Sequence, residues 1–140
     1  MSTDNCLVYG TPILLPMPVD SSSADISKGD FVSLATAGYI QQASAGELPV
    51  GIAQDSVTSP SADGDVTILV DVSCETVYRF DPDAGTVSQA LVGTTMDVGG
   101  AQSVNIDAST DDCLLCVGVD VDNNKLLVSR VKSACYAGVV

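Results

Sequence analysis

The residues with the clearest chemical potential are Cys113 and Cys116, at the CxxC spacing, and Asp120, Asp122 and Asn124, at the first, third and fifth positions of a calcium loop. Two thiols so spaced hold zinc when a second pair stands elsewhere, or exchange a disulfide when one is activated. This chain has no second CxxC, and the pair lies in an apolar stretch that reads as strand, where an offset of three puts the thiols on opposite faces. The calcium pattern breaks down because Lys125 stands where the turn glycine belongs and Val131 where the bidentate glutamate should be. Asp81 and Asp83 offer a looser acidic pair, which plain Asx turns explain as well. No metal and no other cofactor is expected.

The 140 residues contain no histidine, which removes the Ser-His-Asp and Cys-His mechanisms and imidazole zinc sites together. Carboxylate pairs of the glycosidase kind need aromatic platforms, and there are only four tyrosines, two phenylalanines and no tryptophan. Nucleophile-elbow, aspartic-protease, Walker and dinucleotide glycine motifs are all missing. Lys28-Gly29-Asp30 reads as a turn before a strand. The chain is not expected to be an enzyme.

Composition narrows the class further. Eighteen acids against five bases give a formal charge of −13, and the bases, Lys28, Arg79, Lys125, Arg130 and Lys132, are scattered. Binding to nucleic acid through counterion release needs them on one face, so no nucleic-acid partner is expected. All the acids but Glu47 and Glu75 are Asp, the residue of turns and caps rather than helices, and the fold is expected to be all-β with little helix. No basic segment precedes an apolar stretch, and Ile13 to Val19 is broken by Pro16 and Pro18, so neither a signal peptide nor a membrane span is expected. Synthesis in a cytoplasm follows, and there the five unevenly spaced cysteines read as small buried hydrophobes without a disulfide.

Residues 1–24 read as an extended N-terminal arm, with short apolar runs at Cys6 to Tyr9 and Ile13 to Leu15 and prolines that forbid a helix. Such an arm packs on a neighbour, as in strand addition, or forms an edge strand of its own body. Residues 25–140 read as a single β domain. Strands are predicted at Phe31–Ala35, Tyr39–Ala43, Val50–Gln54, Val66–Asp71, Thr76–Phe80, Thr86–Leu91, Ser103–Ile106, Leu114–Asp120 and Lys125–Val131. Turns are predicted at Gly38, Ser61–Asp65, Asp81–Gly85, Gly99-Gly100 and Asp122–Asn124, the last closing a hairpin. Ser59–Gly64 and Asp107–Asp112 are candidates for single helical turns. An internal echo, residues 38–43 with 50–52 against residues 85–90 with 117–119, hints at two similar β units around one core.

The run Ile26-Ser27-Lys28-Gly29-Asp30-Phe31-Val32, then Gly38-Tyr39-Ile40, Leu48-Pro49-Val50-Gly51-Ile52-Ala53 and Asp63-Gly64-Asp65-Val66-Thr67-Ile68, resembles the head decoration, or capsid cement, proteins of tailed bacteriophages. The likeness covers roughly residues 24–80. It implies a small β-barrel or β-tulip-like domain, homotrimeric, on the outer surface of the virion. There it would bind the major capsid protein and stabilise the expanded lattice without catalysis. It also implies that the N-terminal segment reaches the capsid, with Leu7, Val8, Tyr9, Ile13 and Leu14 as contact residues. Deleting residues 2–18 would then leave a folded domain that no longer binds. The alternatives are another virion module, such as a head-fibre or tail-base domain, and a small β-barrel that binds a ligand.

Overall fold

Alternating apolar residues between glycine and aspartate turns build the molecule from strands of three to seven residues. A computed structural model describes residues 7–107 and 110–131. In chain order the strands are β1 (Leu7–Tyr9), β2 (Leu14–Pro18), β3 (Phe31–Leu34), β4 (Ile40–Gln42), β5 (Gly51–Ala53), β6 (Thr67–Asp71), β7 (Val77–Pro82), β8 (Thr95–Gly100), β9 (Ser103–Asn105), β10 (Leu114–Asp120) and β11 (Lys125–Arg130). Among the described residues helix is limited to 3₁₀ turns at Thr36–Gly38 and Gln89–Leu91, and the fold is all-β. Among the described residues no helix is long and apolar enough to cross a membrane.

The strands form two sheets, and each closes on itself. The first runs β1-β7-β11-β10-β8-β9, and a parallel pairing of β9 with β7 makes a ring of five strands with β1 added outside it. The second runs β2-β6-β5-β3-β4 and is closed by a bridge between Val19, just past β2, and Ile40. Closure removes most exposed edges, which is how small antiparallel folds avoid pairing with one another.

Each ring has its own apolar filling, where the sequence suggested one core. Val19, Ile26, Val32, Ile40, Val50, Ala53, Ile68 and Val70 cluster in the second sheet. The larger cluster holds Tyr78, Phe80, Met96, Val98, Val104, Leu114, Leu126 and Val128 of the first sheet, joined by Phe31, Ala43 and Ile52 from the second. Phe31 and Phe80 stack at a centroid distance of 4.3 Å, an aromatic contact that ties the two rings together. Beside it the Phe31 N–H donates to Ala101 O at 2.8 Å, and the buried Asp30 carboxylate accepts from Gln102 Nε2 at 2.6 Å and Gln42 Nε2 at 2.9 Å.

Most predicted strands are present within a residue or two. The Asp122–Asn124 turn closes the β10–β11 hairpin, with Asp120 opposite Lys125. Residues 86–91 are not a strand. Only Val87 is buried there, Ser88 to Ala90 are exposed, and the segment ends in a 3₁₀ turn. The first half of the echo has no structural counterpart, since residues 40–42 are strand and residues 85–90 are loop and turn, whereas residues 51–52 and 117–119 both lie in strands. Gly99 and Gly100 are not a turn either but the end of β8, a strand that the sequence did not suggest. A Cβ on Gly99 would lie 2.8 Å from Asp83 Cβ and 2.9 Å from Asn105 N, so the glycine serves a close approach of chains. Ser59–Gly64 holds bends and a turn rather than a helical turn, and Asp107–Asp112 is only partly within the described residues.

The cysteines correct two expectations. Cys74 is disulfide-bonded, which irregular spacing could neither suggest nor exclude. Cys6 and Cys135 lie outside the described residues, as does Lys132. Cys113 and Cys116 are free and both are buried in the larger cluster, not on opposite faces. Cys113 precedes the strand, so the period of two does not yet apply to it.

Two outcomes are expected. Phe80→Ala removes one half of the ring-to-ring stack and should lower the unfolding free energy by about 3–5 kcal/mol in a denaturant titration. Burial pushes the Cys113 thiol up to about 11, so at pH 8 neither it nor Cys116 should react with iodoacetamide until the protein is unfolded. Because its folded value is raised, the stability linked to Cys113 is full below about pH 9 and is lost as pH rises towards 11.

Candidate docking surface

From residue 5 to residue 19 the chain carries no charge. From Leu7 onward this stretch starts in one sheet and ends in the other. Leu7–Tyr9 pairs with β7 in the first sheet, and Leu14–Pro18 pairs with β6 in the second. The residues read as an arm are thus extended, and within 7–18 they are hydrogen-bonded to the body as edge strands. Val19, Asp20 and Ser23 are buried in it. A deletion of residues 2–18 takes both strands away, so substitutions at the surface are the cleaner probe.

Between the strands, Gly10 adopts a positive φ of 101° against the Thr76 backbone, where an added Cβ would meet Glu75 O at 2.8 Å. Ile13 is then fixed at both backbone groups. Its N–H donates to Asp71 Oδ1 at 3.1 Å and its carbonyl accepts from Val72 N–H at 2.9 Å.

Asp71 is 1% exposed and fully engaged. Besides Ile13 it accepts from Ser73 N–H at 2.9 Å, Thr76 Oγ1 at 2.9 Å and Tyr78 OH at 2.7 Å. Tyr78 OH in turn accepts from Gln54 Nε2 at 2.9 Å. Burial, then the Asp71 carboxylate, raise the Tyr78 phenol well above its ordinary range, so it remains a donor. Arg130, also buried, donates to Pro49 O at 3.2 Å and Val72 O at 2.9 Å, and burial lowers its pKa while Asp71 opposes that shift. A buried carboxylate is stable only when so satisfied.

This anchoring leaves side chains facing solvent. Leu7, Val8, Ile13, Leu14, Leu15 and Leu69 are between 40% and 56% exposed. Leu69 of β6 lies directly opposite Pro16 of β2, which is also exposed, so the apolar surface runs across two strands. Its margin is acidic, for Asp55 is exposed and its Oδ2 accepts the Leu69 N–H at 3.0 Å. Val92, Val117 and Val121 are exposed elsewhere, and scattered single residues of that kind are ordinary.

Of the five residues suggested by the sequence, Leu7, Val8, Ile13 and Leu14 are exposed. Tyr9 lies in β1, and its side chain is outside the described set. Leu15, Pro16 and Leu69 were missed. Leu69 was signalled by phase, since Ile68 and Val70 are buried on either side of it and a period of two turns it outward.

The aspartates that suggested a calcium loop have other partners. Asn123 donates side-chain and backbone N–H groups to the Asp120 carboxylate, which lowers its pKa. Asn124 Oδ1 accepts the Val87 N–H at 2.7 Å, and Asp81 pairs with Lys125.

Asp71→Ala should strand Tyr78 OH, Thr76 Oγ1 and the Ile13 N–H, costing about 3–5 kcal/mol. Hydrogen exchange reads the local consequence: the amides of Ile13, Leu15 and Met17 should lose protection in denaturant below the global transition, ahead of those in β11.

Comparison with protein-family models, with curated proteins and with solved structures gives no match to this chain.

Proposed function

We propose that this chain is a non-catalytic decoration protein that binds the outer surface of a phage head and stabilises the expanded major-capsid lattice. The observation that carries the reading is the exposed, uncharged surface of Leu14, Pro16 and Leu69, with Ile13 and Leu15 also exposed along the same segment, on a chain of net charge −13. A contiguous apolar surface rimmed by polar groups marks an interaction site. The partner comes from the resemblance of residues 24–80 to capsid cement proteins, together with assembly as a homotrimer. The acidic body keeps such a protein soluble and away from packaged nucleic acid, while the apolar surface supplies adhesion.

The mechanism is mass action. A protein that binds only the expanded lattice stabilises it by RT ln(1 + [L]/Kd) at each site, and many sites multiply a modest contact. Two ring-closed units, joined through the Phe31–Phe80 stack and the Asp30–Gln102 hydrogen bond, present that contact rigidly.

The test is sedimentation with expanded heads that lack the protein. Saturable binding at hundreds of copies per head is the expected result. Leu14→Asp with Leu69→Asp should weaken it at least 100-fold, since each buried leucine contributes about 1.5–3 kcal/mol, while leaving the thermal midpoint nearly unchanged. Binding at a few copies would point to a fibre or tail-base module, and no binding would overturn the reading.

A further inference from the structure

Among the described residues, β1, which lies outside its ring, and β2, whose ring closes only past its end at Val19–Ile40, have a strand partner along one side only, and both belong to the uncharged segment that carries exposed leucines. An open edge beside apolar side chains is the arrangement most prone to pair with another copy of the same chain. β1 is limited by its three residues and by an irregular register against β7. β2, with five residues in unbroken register against β6, lacks that protection.

Its backbone directions can be read from its partners. The Ile13 carbonyl accepts from Val72, Val19 N–H donates to Val66 O, and the Val19 carbonyl accepts from Gly64 N–H, so the odd-numbered residues turn their polar groups towards β6. Backbone groups alternate along a strand, so those of residues 14, 16 and 18 point to the free side. Asp20, the next in phase, confirms this by donating to Ile40 O on the far side at 2.8 Å. Two of the three outward positions are Pro16 and Pro18, which have no N–H, and the free edge offers one amide donor, that of Leu14.

We propose that Pro16 and Pro18 are the residues that close the β2 edge to strand pairing with a second copy of this chain, restricting the surface to side-chain contact. Both prolines sit where the strand is not bonded to its own sheet, so replacing them disrupts no internal hydrogen bond. The inference is independent of the capsid reading, because it concerns what the edge refuses.

The experiment compares the full chain with its Pro16→Thr/Pro18→Thr variant by sedimentation velocity over a hundred-fold concentration range. Hydrogen exchange follows the two restored amides, and a thermal scan verifies folding. The variant's mass should at least double relative to the parent at the highest concentration, with those amides protected at least ten-fold more in the associated species. Threonine is more polar than proline, so added stickiness does not account for such a gain. A folded variant that keeps the parent's mass overturns the proposal. If the double variant does not fold, Pro16→Thr alone, at an exposed position, is measured in the same way. An unfolded protein or an unchanged mass there overturns the proposal too.

Discussion

Among the described residues the chain crosses between its two sheets twice, once at residues 10–13 and again at residues 72–76, and the carboxylate of Asp71 stands at both crossings. It takes the Ile13 amide at the first, and Ser73 and Thr76 at the second, while Tyr78 reaches it from the far ring. A buried charge so surrounded contributes less as raw stability than as a demand on geometry. Every donor must arrive together, which fixes the path of the N-terminal segment over the body. The exposed leucines stay on the outside because their backbone is pinned from within.

The same device recurs at other loops. Asp97 is buried and accepts the N–H groups of Thr110, Asp111 and Asp112 at 2.9–3.0 Å, holding the strand-to-strand connection against β8. Asp30 caps the turn at Ser27 and reaches Gln102 in the other ring. An excess of aspartate over glutamate thus serves chain reversal, as its turn chemistry suggests. Three of these carboxylates, however, work from inside the fold, where composition alone places none of them.

Alternation with clear punctuation made β3, β5, β6, β10 and β11 legible, and Asn123-Asn124 marked a hairpin. β8 was hidden because its two glycines look like a turn, and only the neighbouring Asp83 and Asn105 show that they fill a tight crossing. Thr86-Val87 has β-forming residues, yet one buried valine does not make a strand. Ring closure was beyond reach, since Val19–Ile40 and the parallel β7–β9 pairing join positions that no local pattern relates. Four of the surface residues were visible as apolar side chains in an uncharged run. Whether Leu69 would join them depended on which strand came to lie beside β6.

Because synthesis runs from the N-terminus, β2 leaves the ribosome long before its partner strand exists. Ile13 and Asp71 are 58 residues apart, which at 5–20 residues per second is a delay of about 3–12 s. Throughout that interval an uncharged, leucine-rich segment is unpaired among other nascent copies. Two prolines two residues apart disfavour premature β-pairing in a chain that has not yet folded. The prolines that leave the finished edge one amide donor leave the nascent segment equally poor in donors until β6 arrives.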